Sequence, residues 1–308
     1  MLSILSSLSI LSSSLLVSMS FSITGCLTSN EEDTVGMQPS EISRLGYNLD
    51  EPEVFEMPSE LNEISGIRFY QNDNSLIYAE QDEKGRLYWL KPGDKKAHYY
   101  DFGKDGDYED LVFVRGQAVF LRSDGHLFGF DFTPPASPEK APITGERQEW
   151  KDLVPKGEYE GLYADTASNQ LYVLCKESKE DHRKKVAVYR LDNNGEGWVE
   201  TKRLEIDVTM ISDIYNEGKS KKKKEKINFK PSAICRNERT GQWYILSSIN
   251  KMLVVAGPDM QVHEVYSLKR KLYPQPEGMC FDSKNNLYIS NEGAGGKGTI
   301  LKFNYLGQ

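Results

Sequence analysis

The sequence predicts an all-β protein, a β-propeller of five four-stranded blades. The first observation is a unit that occurs five times: an acidic or polar turn, a short apolar strand, a polar turn and a second strand. The second is spacing: the turns align at Ser65, Glu109, Glu160, Ser232 and Glu277, so the copies are 44, 51, 72 and 45 residues apart. Four-stranded blades repeat at about 40–50 residues, and one interval carries an insertion. The third is composition, since Tyr (17) and Gly (25) suit many short strands and tight turns.

Residues 1–25 contain no charged side chain and predict a signal peptide. The run ends in Ile23-Thr24-Gly25-Cys26, which resembles the lipobox of bacterial lipoproteins, and this resemblance implies a lipid on Cys26. A membrane-spanning helix is the alternative, because the run is long enough to cross a bilayer. We therefore expect a lipid-anchored protein of the cell envelope, outside the cytoplasm, at either the periplasmic or the surface face of the outer membrane.

Residues 26–47 are polar and acidic, and are predicted to be a flexible tether. The propeller is assigned to residues 48–308. Its predicted strands are 66–69, 75–80, 86–90 and 97–102 in the first blade; 110–114, 118–122, 126–130 and 146–150 in the second; 161–164, 170–175, 185–191 and 198–206 in the third; 233–236, 242–247, 252–256 and 262–268 in the fourth; and 278–281, 286–290 and 299–304 in the fifth.

The fifth blade lacks an outer strand of its own. Residues 54–57 alternate as a lone strand before the first repeat, so they are the natural donor. Closure in this way leaves no exposed sheet edge. A six-bladed propeller is the alternative to five.

The long interval between the third and fourth repeats contains a predicted short helix, 209–217, and the lysine-rich run 218–226. Such a run is typical of a solvated loop, and docking on an acidic surface or a lipid headgroup is the functional alternative. The formal net charge of −8 makes nucleic acid an improbable partner, and we expect a monomer. With Cys26 lipidated, Cys175, Cys235 and Cys280 are predicted to be free thiols, buried as small apolar groups.

The segments DYEDLVFV, EYEGLYAD and QPEGMCFD, together with NQLYVL and NNLYIS, resemble the SdiA-regulated family of bacterial extracytoplasmic β-propeller proteins. They are similar more distantly to NHL-repeat and lactonase-type propellers. The resemblance runs from about residue 48 to the C-terminus and implies a propeller fold outside the cytoplasm. Related propellers carry calcium in the central tunnel on acidic and amide side chains, so the resemblance also implies calcium.

The turn before each innermost strand faces the propeller axis, so equivalent residues form a ring there. Glu109, Glu160 and Glu277 occupy this position in three repeats. Three carboxylates converging on one axis repel unless protons or a cation lie among them, and Ca²⁺ takes oxygen ligands. We predict them as metal ligands, with the alternative that each glutamate caps its own turn.

A second set is predicted to bind a ligand: Glu63, Glu80, Asn291 and Glu292. Glu63 lies two residues before Ser65 and can turn inward, whereas Glu80, Asn291 and Glu292 lie where second strands end. These strand ends also carry Gln81, Asp82, Arg122, Asp124, Lys176 and Glu177, and alternation lets only some of them face the tunnel. The glycines of 293–296 allow close approach of a ligand, although an ordinary glycine-rich hairpin explains them too.

Two functions stay open from the sequence. The first is a lipid-anchored propeller that binds a ligand or partner at its axial funnel without turnover. The second is a calcium-dependent hydrolase of a phosphoester or lactone, in which a metal-bound water attacks. The catalytic residues are unknown, because the sequence has no G-x-S-x-G, H-E-x-x-H or P-loop motif, and its four histidines lie outside the turn motif.

Overall fold

The computed structural model describes residues 36–178 and 184–307, and the predicted signal peptide, Cys26 and the first part of the tether lie outside these ranges. Within them, no helix has both the length and the apolar character needed to cross a bilayer. The described chain is built almost entirely of β-strands, with two α-helices, α1 (Pro39–Leu45) and α2 (Val208–Tyr215). The prediction of an all-β fold is confirmed.

Five antiparallel blades account for these strands, which confirms the predicted count and order. Listed from the axis outward, the blades contain β2 (Ile64–Tyr70), β3 (Asp73–Gln81), β4 (Lys84–Leu90) and β5 (His98–Asp101); β6 (Tyr108–Val114), β7 (Gln117–Arg122), β8 (Leu127–Thr133) and β10 (Gln148–Trp150), with β9 (Ile143–Thr144) added beside β8; β11 (Gly157–Asp165), β12 (Gln170–Ser178), β13 (Lys185–Asn193) and β14 (Trp198–Asp207); β15 (Ala233–Arg236), β16 (Trp243–Ser247), β17 (Met252–Ala256) and β18 (Val262–Ser267); and β19 (Pro276–Phe281), β20 (Leu287–Asn291), β21 (Thr299–Phe303) and β1 (Glu53–Glu56).

The blades close into a ring. Each innermost strand contacts the innermost strands of both neighbouring blades, in the order β2, β6, β11, β15, β19 and back to β2. The N-terminal strand β1 supplies the outer strand of the fifth blade, pairing antiparallel with β21 from Glu53 opposite Lys302 to Glu56 opposite Thr299. The predicted closure is therefore confirmed. It joins the two ends of the propeller through backbone hydrogen bonds and covers the edge of β21 that would otherwise be exposed.

Five apolar clusters form the core, one between each pair of adjacent blades. Side chains on the two faces of each blade alternate, so every blade contributes to the clusters on either side of it. Cys175, Cys235 and Cys280 are buried, which confirms their predicted burial. The inner strands of each blade are therefore buried on both faces, whereas the outer strands β1, β10 and β14 are largely exposed.

The glycine of the turn motif permits close packing at the axis. A Cβ atom on Gly278 would lie 2.2 Å from the Ser65 carbonyl oxygen, and one on Gly161 would lie 2.9 Å from the Ile234 backbone nitrogen. Both contacts cross to the next blade and involve backbone, which cannot swing away. The Glu-Gly turns thus mark positions where innermost strands approach more closely than any side chain allows.

Residues 36–47, predicted as part of a flexible tether, are folded. They form α1, which ends at Gly46 in the left-handed conformation, and the residues that follow pack against the fourth and fifth blades. Leu45, Tyr47 and Leu49 are buried there, and the Tyr47 hydroxyl donates to the Asn285 carbonyl oxygen at 2.6 Å. The prediction of a flexible tether fails here because the few apolar residues of this polar stretch pack between two blades. Those blades are distant in sequence, so the local composition does not indicate the contact. We call residues 36–49 the N-terminal latch.

The interval between the third and fourth blades contains α2, close to the predicted helix. Its N-cap Asp207 accepts a hydrogen bond from the Thr209 backbone amide at 2.7 Å. The lysine run that follows is exposed at Lys221–Lys223. Asn216 bridges the base of this loop through the backbone of Glu225, donating at 2.8 Å and accepting at 2.8 Å. The lysine run is therefore exposed on a loop whose base is held by two hydrogen bonds of Asn216.

Candidate functional site

The innermost strands begin at one end of the axis, and this end is strongly acidic. We call it the acidic mouth. Glu109, Glu160 and Glu277 stand there at equivalent positions of three blades, each mostly withdrawn from solvent. The two blades that carry serine instead use it to join neighbours: Ser65 donates to the Glu109 carbonyl oxygen at 3.0 Å, and Ser232 to the Pro276 carbonyl oxygen at 2.8 Å.

Lys176 provides a positive charge within this ring of glutamates. Its ammonium lies 2.6 Å from the Glu160 carboxylate, and both side chains are largely shielded from solvent. Burial disfavours the charged lysine, but the hydrogen bond to Glu160 and the nearby Glu109 and Glu277 outweigh this and raise the pKa of Lys176. The lysine thus neutralises part of the repulsion that the sequence led us to expect.

All three glutamates of the ring have pKa values above the usual range. Burial, assisted by Glu160 and Asp107, raises the pKa of Glu109 to about 10. Burial and Glu160 raise the pKa of Glu277 to about 7, against hydrogen bonds that lower it. Burial also raises the pKa of Glu160, with Lys176 opposing the shift. At neutral pH the ring is therefore only partly ionised.

Raising the pH is expected to destabilise the folded protein. The pKa of Glu277 lies near 4.5 when it is unshifted and at about 7 in the fold. Between these values the folded state keeps a proton that the unfolded state has released, so stability falls as pH rises through the window. Glu277→Gln cannot ionise. In urea denaturation with EDTA we expect it to match the wild type near pH 4.5 and to exceed it by roughly 1–2 kcal/mol near pH 8, after discounting for solvent screening.

Glu146→Gln is the control for this experiment, since Glu146 is exposed and lies outside the mouth. Its difference from the wild type should not vary between the two pH values. A Glu277→Gln difference that is equally independent of pH would contradict the raised pKa.

A second group of carboxylates converges beside the ring, between the first and fifth blades. Glu63, Asp82 and Glu292 bring one ligand oxygen each to within 4.8 Å of one another, and all three are half-buried. Burial is the main cause that raises the pKa of Asp82 to about 6, and Glu63 adds to it. Burial also raises the pKa of Glu292 to about 8, and the hydrogen bond that protonated Glu292 shares with Glu63 adds to that shift. We call these residues the acidic triad. Glu63 and Glu292 were predicted to meet a ligand, and Asp82 joins them from the end of β3.

The acidic triad fits a divalent cation in one testable respect. Oxygens that share a Ca²⁺ ion at about 2.3–2.6 Å lie no more than about 5 Å apart, and the three triad oxygens meet this limit. One Asp82 oxygen is buried and has no hydrogen-bond partner, which leaves an acceptor for a ligand. Among the described residues, Glu109, Glu160 and Glu277 do not form such a group, so their role as metal ligands stays a prediction.

The two other predicted ligand-binding residues, Glu80 and Asn291, are fully buried. The Glu80 carboxyl accepts a hydrogen bond from the Gly66 amide at 2.6 Å, and burial raises its pKa well above the usual range. Asn291 donates to the Thr299 hydroxyl at 3.3 Å. Each retains one buried oxygen without a partner. The structure does not group them with the acidic triad, and their assignment to a ligand stays a prediction.

A buried ion pair that was not predicted from the sequence connects the innermost strands of four blades. The Arg68 guanidinium donates to Asp110 at 3.1 Å, to the Leu162 carbonyl oxygen at 2.5 Å, to the Ile67 carbonyl oxygen at 2.8 Å and to the Met279 carbonyl oxygen. Four blades thus meet on one side chain, which is 9% exposed. We call this pair the axial plug.

Two sequence signals could have revealed the axial plug. Arg68 is a charged residue inside the apolar segment ISGIRFY, and Asp110 replaces the glycine of the turn motif in DYEDLVFV. At Gly66 a Cβ atom would lie 2.5 Å from an Asp110 carboxylate oxygen, so glycine in one blade makes room for aspartate in the next. Departures from the repeat therefore mark the residues that face the axis.

The fold and the site define the class of protein. It is a five-bladed β-propeller with a buried ion pair between its innermost strands and a group of carboxylates at one end of its axis. The SdiA-regulated family model matches residues 156–294, and a second model, the KIB1-4 beta-propeller, matches residues 69–214. The first match confirms the resemblance predicted from the turn motifs. Each match covers slightly less than half of the chain.

Solved structures are similar in fold. Glutaminyl cyclase from Myxococcus xanthus has 12% identity and a TM-score of 0.53, over 82% of this chain and 93% of that one. A luciferin-regenerating enzyme has 10% identity and a TM-score of 0.50, over 82% of this chain and 95% of that one. At these identities the likeness concerns the fold alone. Comparison with curated proteins gives no match.

Proposed function

We propose that this protein is a lipid-anchored propeller of the bacterial cell envelope that binds a ligand at its acidic mouth together with a divalent cation, most simply Ca²⁺. The observation that carries the proposal is the acidic triad, in which three carboxylate oxygens from two blades lie within 4.8 Å. Rigid scaffolds with converging loops suit binding, because the strands fix the loops and leave their side chains free to select a ligand.

Different residues at the acidic mouth would bind the cation and orient its ligands. The acidic triad would hold the cation through hard oxygen ligands. Gln275 donates to Glu292 and fixes its orientation, while Lys176 keeps the neighbouring Glu160 paired. A bound cation would supply a positive site for an anionic or hydroxyl group of the ligand. The lipobox-like segment that ends at Cys26 is the support for a lipid anchor and an envelope location, and Cys26 lies outside the described ranges.

Calcium is expected to raise the melting temperature of the full-length protein. A free calcium concentration of about a hundred times Kd raises the free energy of unfolding by about 2.7 kcal/mol. For a domain of this size, that corresponds to an increase in melting temperature of roughly 5–10 °C. The Asp82→Asn, Glu292→Gln double variant should lose this response, because only one carboxylate of the triad remains. Thermal unfolding with calcium or EGTA measures both proteins.

The matched control is Glu146→Gln, Glu196→Gln, which removes two exposed carboxylates elsewhere and should respond as the wild type does. A wild type indifferent to calcium, or a triad variant that still responds fully, would overturn the cation site. An intact response in the triad variant that disappears in Glu160→Gln, Glu277→Gln would instead place the ion in the glutamate ring.

The alternative is a calcium-dependent hydrolase, and one observation favours it. Glu277 has a pKa raised to about 7 by burial and Glu160, and a carboxyl that titrates near the working pH is suited to general acid–base catalysis. Assays with generic ester, lactone and phosphoester substrates in calcium decide between the two. Turnover that Glu277→Gln abolishes supports the hydrolase; calcium binding with no turnover supports the binding protein.

A further inference from the structure

The other end of the axis is an open cavity, which we call the C-terminal funnel because the innermost strands end there. Its volume is about 790 Å³, and all five blades line it through segments within 68–72, 112–116, 163–166, 235–239 and 280–285. This volume lies within the range of about 300–1,000 Å³ typical of small-molecule sites. Arg68 belongs to its lining, whereas the acidic triad and the glutamate ring do not.

The charge of the funnel is opposite to that of the chain. The protein has a net charge of −8, yet the lining contains five cationic side chains and two carboxylates. The cations are Arg68, Arg115, Arg236, Arg239 and Lys284, and the carboxylates are Glu238 and Asp282. Asp282 is occupied by its own turn, accepting from Lys284, Asn286 and Tyr288. The funnel thus carries an excess of positive charge at its surface.

Two of the cations have nothing to bind within the described chain. Arg115 and Lys284 are exposed side chains from the second and fifth blades, and neither forms a side-chain hydrogen bond or ion pair with a described residue. Arg236 differs, because it is held by Asp165 at 3.7 Å and by the Gly241 carbonyl oxygen at 3.2 Å. Two unengaged cations at the rim of a basic cavity are available to an anion.

Aromatic side chains form the walls between these charges. Phe69, Phe113 and Tyr163 are mostly buried, with Tyr70 and Phe281 partly exposed beside them. Cavities of this kind favour ligands with an apolar, flat body and a charged group that fixes orientation. The concave shape and the negative charge of the rest of the protein disfavour long polyanions such as nucleic acid.

We propose that the C-terminal funnel is a second binding site, separate from the acidic mouth, for a small organic anion with an aromatic body: a carboxylate, sulfonate or phosphate ester. Arg115 and Lys284 are its charge partners, and the aromatic walls hold its apolar part. The funnel shares no lining residue with the acidic triad, so binding at the funnel does not require a cation at the triad.

Isothermal titration of the full-length protein tests this with naphthalene-2-sulfonate and its neutral counterpart, naphthalene-2-sulfonamide. The wild type should bind the sulfonate roughly tenfold more tightly, and added salt should narrow the difference. Arg115→Gln, Lys284→Gln should lose roughly fivefold to tenfold in affinity for the sulfonate alone, and Arg115→Lys should retain most of it. Both exposed positions leave the core untouched, and an unchanged melting temperature verifies folding.

Arg270→Gln, Lys202→Gln is the matched control, with one arginine and one lysine removed from outside the funnel; its affinity should equal that of the wild type. The proposal is overturned if neither compound binds, if the two bind equally, or if the Arg115 and Lys284 variant binds like the wild type. Inorganic sulfate binding as tightly as naphthalene-2-sulfonate would overturn the aromatic part of the ligand class.

Discussion

Replacing Arg68 by methionine is expected to lower the free energy of unfolding by about 3–5 kcal/mol, the usual effect of breaking a buried ion pair from one side. Asp110 is 1% exposed and would keep a carboxyl without its cation. Three carbonyl oxygens from the first, third and fifth blades would also lose their donor. Urea denaturation of the full-length protein measures the loss.

The pH dependence of this variant provides a further check. Burial already raises the pKa of Asp110 to about 6, against Arg68 and two backbone amides that lower it. Without Arg68 the pKa rises further, so the folded state holds a proton that the unfolded state releases, and the deficit grows as pH increases above about 4. Arg68→Met, Asp110→Asn should be more stable than Arg68→Met near neutral pH, because the stranded carboxyl is gone.

Lys84→Met is the control, since the Lys84–Asp105 pair is also close, at 2.7 Å, but its side chains are 37% and 72% exposed. Its removal should cost at most about 1 kcal/mol. Should Arg68→Met cost no more than Lys84→Met, the axial plug would have no special part in holding the blades together.

Tyr47→Ala is expected to cost about 3–5 kcal/mol, as for other fully buried aromatic residues replaced by alanine. The ring is 0% exposed and lies near Tyr305 and Phe281, with centroid distances of 5.5 and 6.1 Å. Its hydroxyl donates to the Asn285 carbonyl oxygen and accepts from the Asn285 side-chain amide at 2.9 Å. The substitution would therefore loosen the N-terminal latch and the turn between β19 and β20 together.

Tyr47→Phe separates the two contributions, since it keeps the ring and should cost only about 1–3 kcal/mol for the unsatisfied polar groups. Tyr99→Ala is the matched control, because Tyr99 is 47% exposed, and surface substitutions usually stay within about 0.5 kcal/mol. If residues 36–47 acted only as a tether, Tyr47→Ala would resemble Tyr99→Ala in chemical denaturation.

Most of the fold was predictable because its signals are local. Strand alternation, turn residues and the spacing of the five copies lie within short windows, and the lone strand at 54–57 indicated closure before any pairing was seen. The N-terminal latch was not predictable in the same way. Its buried residues gain their free energy from a groove formed by blades more than 180 residues away in the chain, to which Tyr47 donates.

The candidate site divides along the same line. The repeat places Glu109, Glu160 and Glu277 at equivalent turns, so the sequence determined that carboxylates crowd one mouth. Only the tertiary structure decided that Glu63, Asp82 and Glu292 come within 4.8 Å, that Lys176 faces Glu160, and that Arg68 fills the axis. Distances between these side chains depend on how the blades pack around the ring. The residues that meet do not occupy equivalent positions of the repeat, so the sequence does not predict their contact.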